Sequence, residues 1–177
     1  FSIILAVDDK NWIWKDNSLA WKISSDMKYF KKITSQTNDL WKMNAVIMWR
    51  KTWESIPAKY RPLPDRINCI LTRSIKKSDI GSPIDDFTLY FNSLDHCLSE
   101  LESKDNVEQI FIIWWANLYN QVLDHPMLDK IYITKVVWDY NCDVFFDWIP
   151  DNFIAESYTD IETEKSIDYS FWVYKRK

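Results

Sequence analysis

Glycine is almost missing from this chain. Its 177 residues contain one, Gly81, where about 12 are expected at the usual ~7%. A chain so poor in glycine has lost its main supply of positive-φ residues, which sharp turns and close backbone approaches normally use. Histidine is also scarce. His96 and His125 alone leave no basis for a histidine-rich metal site and little for a Ser-His-Asp triad. The three cysteines, Cys69, Cys97 and Cys142, lie far apart without metal-type spacing. Their odd number fits a reduced, cytoplasmic protein better than a disulfide framework. No apolar run approaches the roughly 18 residues of a membrane span. Asp8, Asp9 and Lys10 follow the apolar "FSIILAV" at once, unlike a secretory leader. Net charge is −4, and the basic residues are scattered, so nucleic-acid binding has no electrostatic footprint. Metal, membrane and nucleic-acid partners are therefore not expected.

Tryptophan, by contrast, is abundant: there are 11. Hydrophobic residues make up 47% and charged residues 27%, ordinary for a globular protein, and the length suits one domain over residues 1–177. Residues 1–7 read as a strand buried on both faces, and 8–19 as a polar loop. Ser24 or Ser25 caps a helix, "DMKYFKKIT", with Met27, Phe30 and Lys31 at helical spacing. "NAVIM" (44–48), "INCILT" (67–72), "FTLYF" (87–91) and "QIFII" (109–113) read as further strands. Between and after them come helices "KTWESI" (51–56), "LDHCLSELE" capped by Ser93, and 116–123. "KIYITKVV" (130–137) and "SFWVYKR" (170–176) read as antiparallel hairpin partners. Strands alternating with helices predict an α/β fold: a mixed, mostly parallel central sheet with flanking helices.

Several residues invite chemistry. Asp26 falls in the first turn of a helix between Trp21 and Ile23 on one side and Met27, Tyr29 and Phe30 on the other. A first-turn acid commonly does no more than favour the helix dipole. A carboxyl beside large apolar groups is also desolvated, which raises its pKa and lets it hold a proton near neutrality. Both readings stand at this point. "WRKT" (49–52) and "LTRS" (71–74) place cations and hydroxyls after strands, where open α/β sheets bind ligands and helix N-termini accept phosphate. Arg66, after "PLPD", reads as a surface cation or as a carboxylate clamp. Thr134, within a strand, is ordinarily a β-former.

Taken together, "LAWKISSDMKYFK" (19–31), "VIMWRKTWESIP" (46–57), "RPLPDRINCILTRS" (61–74), "IFIIWWANLYNQVL" (110–123) and "CDVFF" (142–146) resemble the dihydrofolate reductases in order and spacing. The wording is similar to eukaryotic and protist versions, in which this domain stands alone as a monomer or is fused to thymidylate synthase. The resemblance implies reduction of dihydrofolate to tetrahydrofolate by NADPH, and binding of antifolates. It implies that Asp26 meets the pterin and assists protonation at N5, with Trp21 and Thr134 as its partners. Ile4, Ala6, Met27, Phe30, Ser55, Ile56, Leu63 and Ile113 match the folate pocket, and Arg66 the partner of the folate glutamate carboxylate. For the cofactor it points to Ala6, Ile13, Arg50, Lys51, Thr52, Leu71, Thr72, Arg73, Ile113, Ala116, Asn117, Leu118 and Tyr119.

The chain departs from that family where the family has glycine. Trp12, Trp14, Trp49, Trp114 and Trp115 stand at such positions, and Trp41, Trp138, Trp148 and Trp172 at positions read as turns or backbone contacts. Trp21 and Trp53 are tryptophan in the family pattern too, which leaves nine surplus. Returned to glycine, these nine would give a total near the expected dozen. The deficit and the excess are one event, whether by substitution or by altered reading of a glycine codon. Overpacking of about 1–3 kcal/mol per site then weakens NADPH binding. A non-catalytic folate-binding scaffold is the alternative. A carbohydrate-binding module is disfavoured, because the tryptophans share no single strand face.

Overall fold

The computed structural model describes residues 1–14, 21–74, 83–85, 87–114, 116–138 and 144–177. The side chains of Trp14, residues 83–85, residues 116–118 and Val144 lie outside that description, as do Trp115, Cys142 and Gly81 altogether. The chain divides into two compact units, one of residues 1–30 with 116–177 and one of residues 31–115. The architecture is α/β, as expected.

In the first unit the strands run in the order β10-β12-β8-β1. These are β1 (Ser2–Asp8), β8 (Lys130–Val137), β10 (Phe153–Tyr158) and β12 (Ile167–Arg176). β1 is buried along its whole length, as a continuous apolar run next to a parallel neighbour should be. It pairs parallel with β8, and Ala6 lies opposite Thr134. β12 pairs antiparallel with the other side of β8, and Phe171 lies opposite Thr134. Thr134 therefore sits on a central strand with a neighbour on each side. β8 and β12 pair as expected but are not a hairpin, because β9 (Val144–Phe145), β10 and β11 (Glu162–Glu164) intervene. β11 folds back on β12 with Glu164 opposite Ile167. The two residues between them, Lys165 (φ 53°) and Ser166 (φ 62°), both have positive φ. That is the twist a two-residue hairpin requires, here made without glycine, at a cost on the order of 1–3 kcal/mol per residue.

Residues 8–19 are not wholly loop. β2 (Trp12–Trp14) pairs antiparallel with β9, and Trp12 meets Phe145 edge to face at 5.5 Å. Asp8 Oδ1 accepts hydrogen bonds from the backbone N–H of Lys10 and Trp12, both at 2.9 Å. Trp172, read as a turn or backbone-contact position, lies inside β12, with Tyr158 and Tyr174 stacked on it at 4.7 and 6.0 Å. Its place fits the period-2 alternation of a strand. Trp41, Trp138 and Trp148 keep to the surface, where an indole escapes overpacking.

In the second unit the order is β7-β3-β4-β6-β5. β3 (Met43–Trp49), β4 (Arg66–Leu71), β6 (Thr88–Phe91) and β7 (Val107–Ile113) are mutually parallel. Short β5 (Pro83–Asp85) closes the edge antiparallel to β6. Ser93 caps α3 (Leu94–Glu102) as expected, its Oγ accepting from His96 N at 3.3 Å, and Cys97, Leu98 and Leu101 form the buried stripe. α2 (Arg50–Ser55) follows β3 directly. Thus β3, β4 and β7 end at Trp49, Leu71 and Ile113, and the residues expected to bind a cofactor follow those ends.

The helix α1 (Ser24–Ser35) starts in the first unit and finishes in the second. Ser24 and Ser25 open the helix rather than precede it. Their backbone N–H groups donate to Glu164 Oε1 and Oε2 at 2.8 and 3.0 Å, and Ser25 Oγ donates to Oε2 at 2.9 Å. These N–H donors pull the Glu164 carboxyl down from 4.5 to about 2. A depressed carboxylate contributes stability that is present above its unfolded pKa and lost as pH falls through its folded one. Replacing Glu164 by Gln should therefore flatten the loss of stability between about 4.5 and about 2, which urea unfolding along a pH series would read.

Candidate active site

Helix α1 begins beside the sheet of the first unit, so its first turn delivers Asp26 to the middle of β8. There Thr134 Oγ1 donates to Asp26 Oδ1 at 2.6 Å. Asp26 is 8% exposed and Thr134 2%. Burial pushes the Asp26 carboxyl above its ordinary 3.8, and the Thr134 hydroxyl pulls it part of the way back. A carboxyl raised by burial can carry a proton toward neutral pH and release it to a basic group placed against it. The dipole reading of Asp26 explains its helical position but not its burial against a hydroxyl. Thr134→Val removes that opposing hydrogen bond, so the Asp26 carboxyl should rise further. A carboxyl NMR titration would register the move, and no move would mean that the hydroxyl does not steady the ionised form.

Ala6 and Phe171 lie opposite Thr134, the partner of Asp26, on the neighbouring strands. Ala6, Trp21, Ile23, Val136, Tyr169 and Phe171 form one buried cluster, with Trp12, Tyr29 and Ile167 packed against it. Tyr29 stacks on Phe171 at 4.0 Å. Its phenol is pushed up to about 12, by burial first and then by the charges of Tyr132 and Asp26, so it stays neutral. Trp21 is a buried member of that cluster. Ile4 is buried, and its carbonyl accepts from Tyr119 Oη at 2.8 Å. Ile13 and Phe30 are buried too, whereas Met27 is 45% exposed. Ala116, Asn117 and Leu118 begin α4 (Ala116–Val122), with only their backbone described.

The second unit carries the remaining expected residues. Arg66 is buried at the start of β4. Its Nη1 donates to Thr34 Oγ1 at 2.7 Å and its Nε to the Pro64 carbonyl at 2.9 Å. Burial lowers its pKa, with Asp65 opposing. This is a guanidinium held in place by its neighbours, not a solvated surface cation. Ile56, Leu63, Leu71 and Ile113 are buried apolar residues, and Ser55 is exposed, its Oγ tied to the Thr52 carbonyl at 2.7 Å.

After β3 and β4 the cations are exposed. Arg50 lies 3.7 Å from Glu54, both about half exposed, a pairing worth little. Lys51 is exposed, and Thr72 is buried, its Oγ1 accepting from Ser74 N at 3.3 Å. Arg73 sits over the Trp49 indole, 6.0 Å from the ring centroid. This is possible because Trp49 and Leu71 are register partners at the strand ends. Thr52 Oγ1 donates to the Trp114 carbonyl at 3.1 Å. Trp114 has φ 53°, a left-handed conformation that favours glycine and is unusual for so bulky a residue.

Comparison with known proteins decides what these pieces belong to. The family model described as dihydrofolate reductase matches residues 1–176. The chain belongs to the dihydrofolate reductase family. It is 37% identical over 153 residues to a dihydrofolate reductase of Drosophila melanogaster, covering 86% of this chain and 82% of that one. With the dihydrofolate reductase of Pneumocystis carinii the identity is 40% over 182 residues, covering 97% and 84%. A bifunctional dihydrofolate reductase-thymidylate synthase of Daucus carota is 37% identical over 186 residues, which is 99% of this chain but 34% of that one. Dihydrofolate reductase relatives of both kinds, single-function and bifunctional, therefore match. The family implies a nicotinamide cofactor in general terms.

Sequence reasoning missed two contacts in this member of the dihydrofolate reductase family. Glu164 lies 139 and 140 positions from the serines it holds, and no local pattern announces a cap at that distance. The contact between Trp49 and Arg73 was foreshadowed only by their common position after neighbouring strands.

Proposed function

We propose that this chain reduces 7,8-dihydrofolate to 5,6,7,8-tetrahydrofolate with NADPH, and that Asp26 supplies the proton route. The observation that carries the reading is the buried contact between Asp26 and Thr134 at 2.6 Å, with the Asp26 carboxyl raised by burial. When bound, the nicotinamide supplies a hydride to the carbon of the pterin C=N bond, and the nitrogen, N5, takes a proton. Asp26 holds that proton in an apolar setting and steers it toward N5, directly or through one water. Thr134 fixes which carboxyl oxygen faces the strand. Trp21, Ala6 and Phe171 keep bulk water from the carboxyl. Arg66, with its guanidinium oriented by Thr34 and Pro64, suits the folate carboxylate.

The donor set after β3 and β4, Arg50, Lys51, Thr52, Thr72 and Arg73, has the chemistry a phosphate-bearing cofactor needs, and its surplus of cations favours NADPH. It fits in kind. The indole of Trp49 on Arg73 and the residue at 114 limit how closely a dinucleotide approaches. Antifolates are expected to use the same acid and apolar residues. Relatives of both kinds support a reductase that stands alone or is fused to thymidylate synthase. Free thiols at Cys69 and Cys97 accord with a cytoplasmic location.

Dihydrofolate-dependent oxidation of NADPH tests this reading. Turnover that disappears on Asp26→Asn supports it, and turnover untouched by that change rejects it. The positive φ of Trp114 favours a second reading, a folate-binding scaffold without turnover. Antifolate binding with no NADPH oxidation, even after glycine is placed at 49, 114 and 115, would favour that one.

A further inference from the structure

We propose that Glu164 is a positioning residue for Asp26: from the tip of the β11–β12 hairpin its carboxylate fixes the first turn of α1, and so the place where Asp26 meets Thr134. The inference rests on the reading of Asp26 as the proton-holding group.

The first N–H groups of a helix have no partner within it. In α1 two of them, on Ser24 and Ser25, donate to the two oxygens of one carboxylate, and the Ser25 hydroxyl adds a third donor. Two oxygens bound to successive residues fix both the height and the rotation of the turn. Asp26 is the next residue, so the direction in which its side chain leaves the helix is set with them. The other anchor of the turn is the Asp26–Thr134 contact itself. Glu164 is in turn held by its strand. It ends β11 opposite Ile167, before the two-residue turn at Lys165 and Ser166. Beyond the turn, Tyr169 of β12 is buried in an apolar cluster with Trp21, Ile23 and Phe171, and its hydroxyl donates to Glu162 Oε2 at 3.1 Å. Asp26 is thereby gripped from two strands: β8 binds its carboxyl and β11 binds its backbone turn.

Among the described residues, the charged and titratable groups about this turn include Tyr29 of α1, Tyr132 of β8, Glu162 and Glu164 of β11, Tyr169 of β12, and exposed Lys165, whose Nζ lies 3.9 Å from Glu164, and Thr134 adds a neutral hydroxyl. Without the Glu164 carboxylate the turn loses its acceptor, water reaches Asp26, and the burial that raises its carboxyl is relieved. The Asp26 pKa should therefore fall.

The test compares Glu164→Ala and Glu164→Gln, with Lys165→Ala as a control on the exposed neighbour. The expected result for Glu164→Ala is a fall in kcat of about tenfold with the KM for dihydrofolate within about twofold, the pattern of a group displaced from its reacting position. The pH profile of the rate should move to lower pH. In the protein without cofactor, the carboxyl NMR titration of Asp26 should move the same way. Glu164→Gln, whose amide oxygen accepts only part of the donor set, should lie between Glu164→Ala and the unsubstituted chain, and Lys165→Ala should leave every reading in place. If Glu164→Ala fails to fold, Glu164→Gln carries the same readings. An unmoved Asp26 titration in Glu164→Gln overturns the proposal. Equal shifts in the two variants with kcat unchanged would also overturn it, reducing Glu164 to a remote charge. Loss of rate in Asp26→Asn alongside normal Glu164 variants defeats this inference alone, whereas a normal Asp26→Asn defeats the reading beneath it.

Discussion

Asp26→Asn is expected to slow dihydrofolate reduction by about 10²- to 10⁴-fold, the usual contribution of a positioned acid, while making the folded chain more stable at neutral pH. The loss of rate follows from chemistry: an amide cannot release a proton to N5. The gain in stability follows from linkage. Burial raises the folded carboxyl above its ordinary 3.8, so over the window between those two values the folded chain holds a proton that the unfolded chain has released. Stability therefore falls as pH rises through that window, and the cost is complete above the folded pKa. Asparagine cannot ionise, yet its Oδ1 still accepts from Thr134, so it escapes the cost and keeps the hydrogen bond. Urea unfolding on either side of the window should show the variant ahead on the alkaline side and level on the acid side. A variant less stable than its parent on the alkaline side would mean that Asp26 contributes to the fold as a charge, against the account given for it.

Placing glycine at both 49 and 114 is expected to raise affinity for NADPH by at least about tenfold, roughly 1.4 kcal/mol. Two sites relieved of about 1–3 kcal/mol of overpacking each make that a lower bound. Trp49→Gly also frees Arg73 from the indole 6.0 Å away, so a guanidinium now occupied by a ring becomes available to a phosphate. The effect on stability is smaller. At 114, where φ is 53°, glycine recovers about 1–2 kcal/mol of left-handed strain and gives back about 0.5–1 kcal/mol in chain entropy. The net is a slight gain, visible as a small rise in midpoint temperature. Fluorescence or calorimetric titration of NADPH would measure the first effect, and unchanged affinity in the double variant would clear the indoles of any part in cofactor binding.

The fold was largely legible, because β1, β3 and β4 are continuous apolar runs that only a buried parallel sheet accommodates. α3 was legible from its Ser93 cap and its stripe of Cys97, Leu98 and Leu101. The short strands β2, β5, β9 and β11 were not, since three residues or fewer carry no periodic signal and pairing alone defines them. β10 was missed for another reason: after Phe153 its residues are exposed, so no alternation marks it. At the site, Asp26 was legible as a candidate from its apolar neighbours, but only the fold could bring Thr134 to it from 108 positions away. Arg66 was open between surface and clamp, and its burial excludes the solvated-surface reading. For Trp172 the turn and backbone-contact readings were both open, and its place in β12, stacked between tyrosines, leaves out the turn.

The most direct test is dihydrofolate-dependent NADPH oxidation by the chain carrying glycine at 49, 114 and 115, with and without Asp26→Asn. The account predicts turnover in the glycine chain that exceeds that of the tryptophan chain and is almost abolished when Asp26 is lost. A glycine chain that oxidises no NADPH, or one that turns over equally well without Asp26, would contradict it.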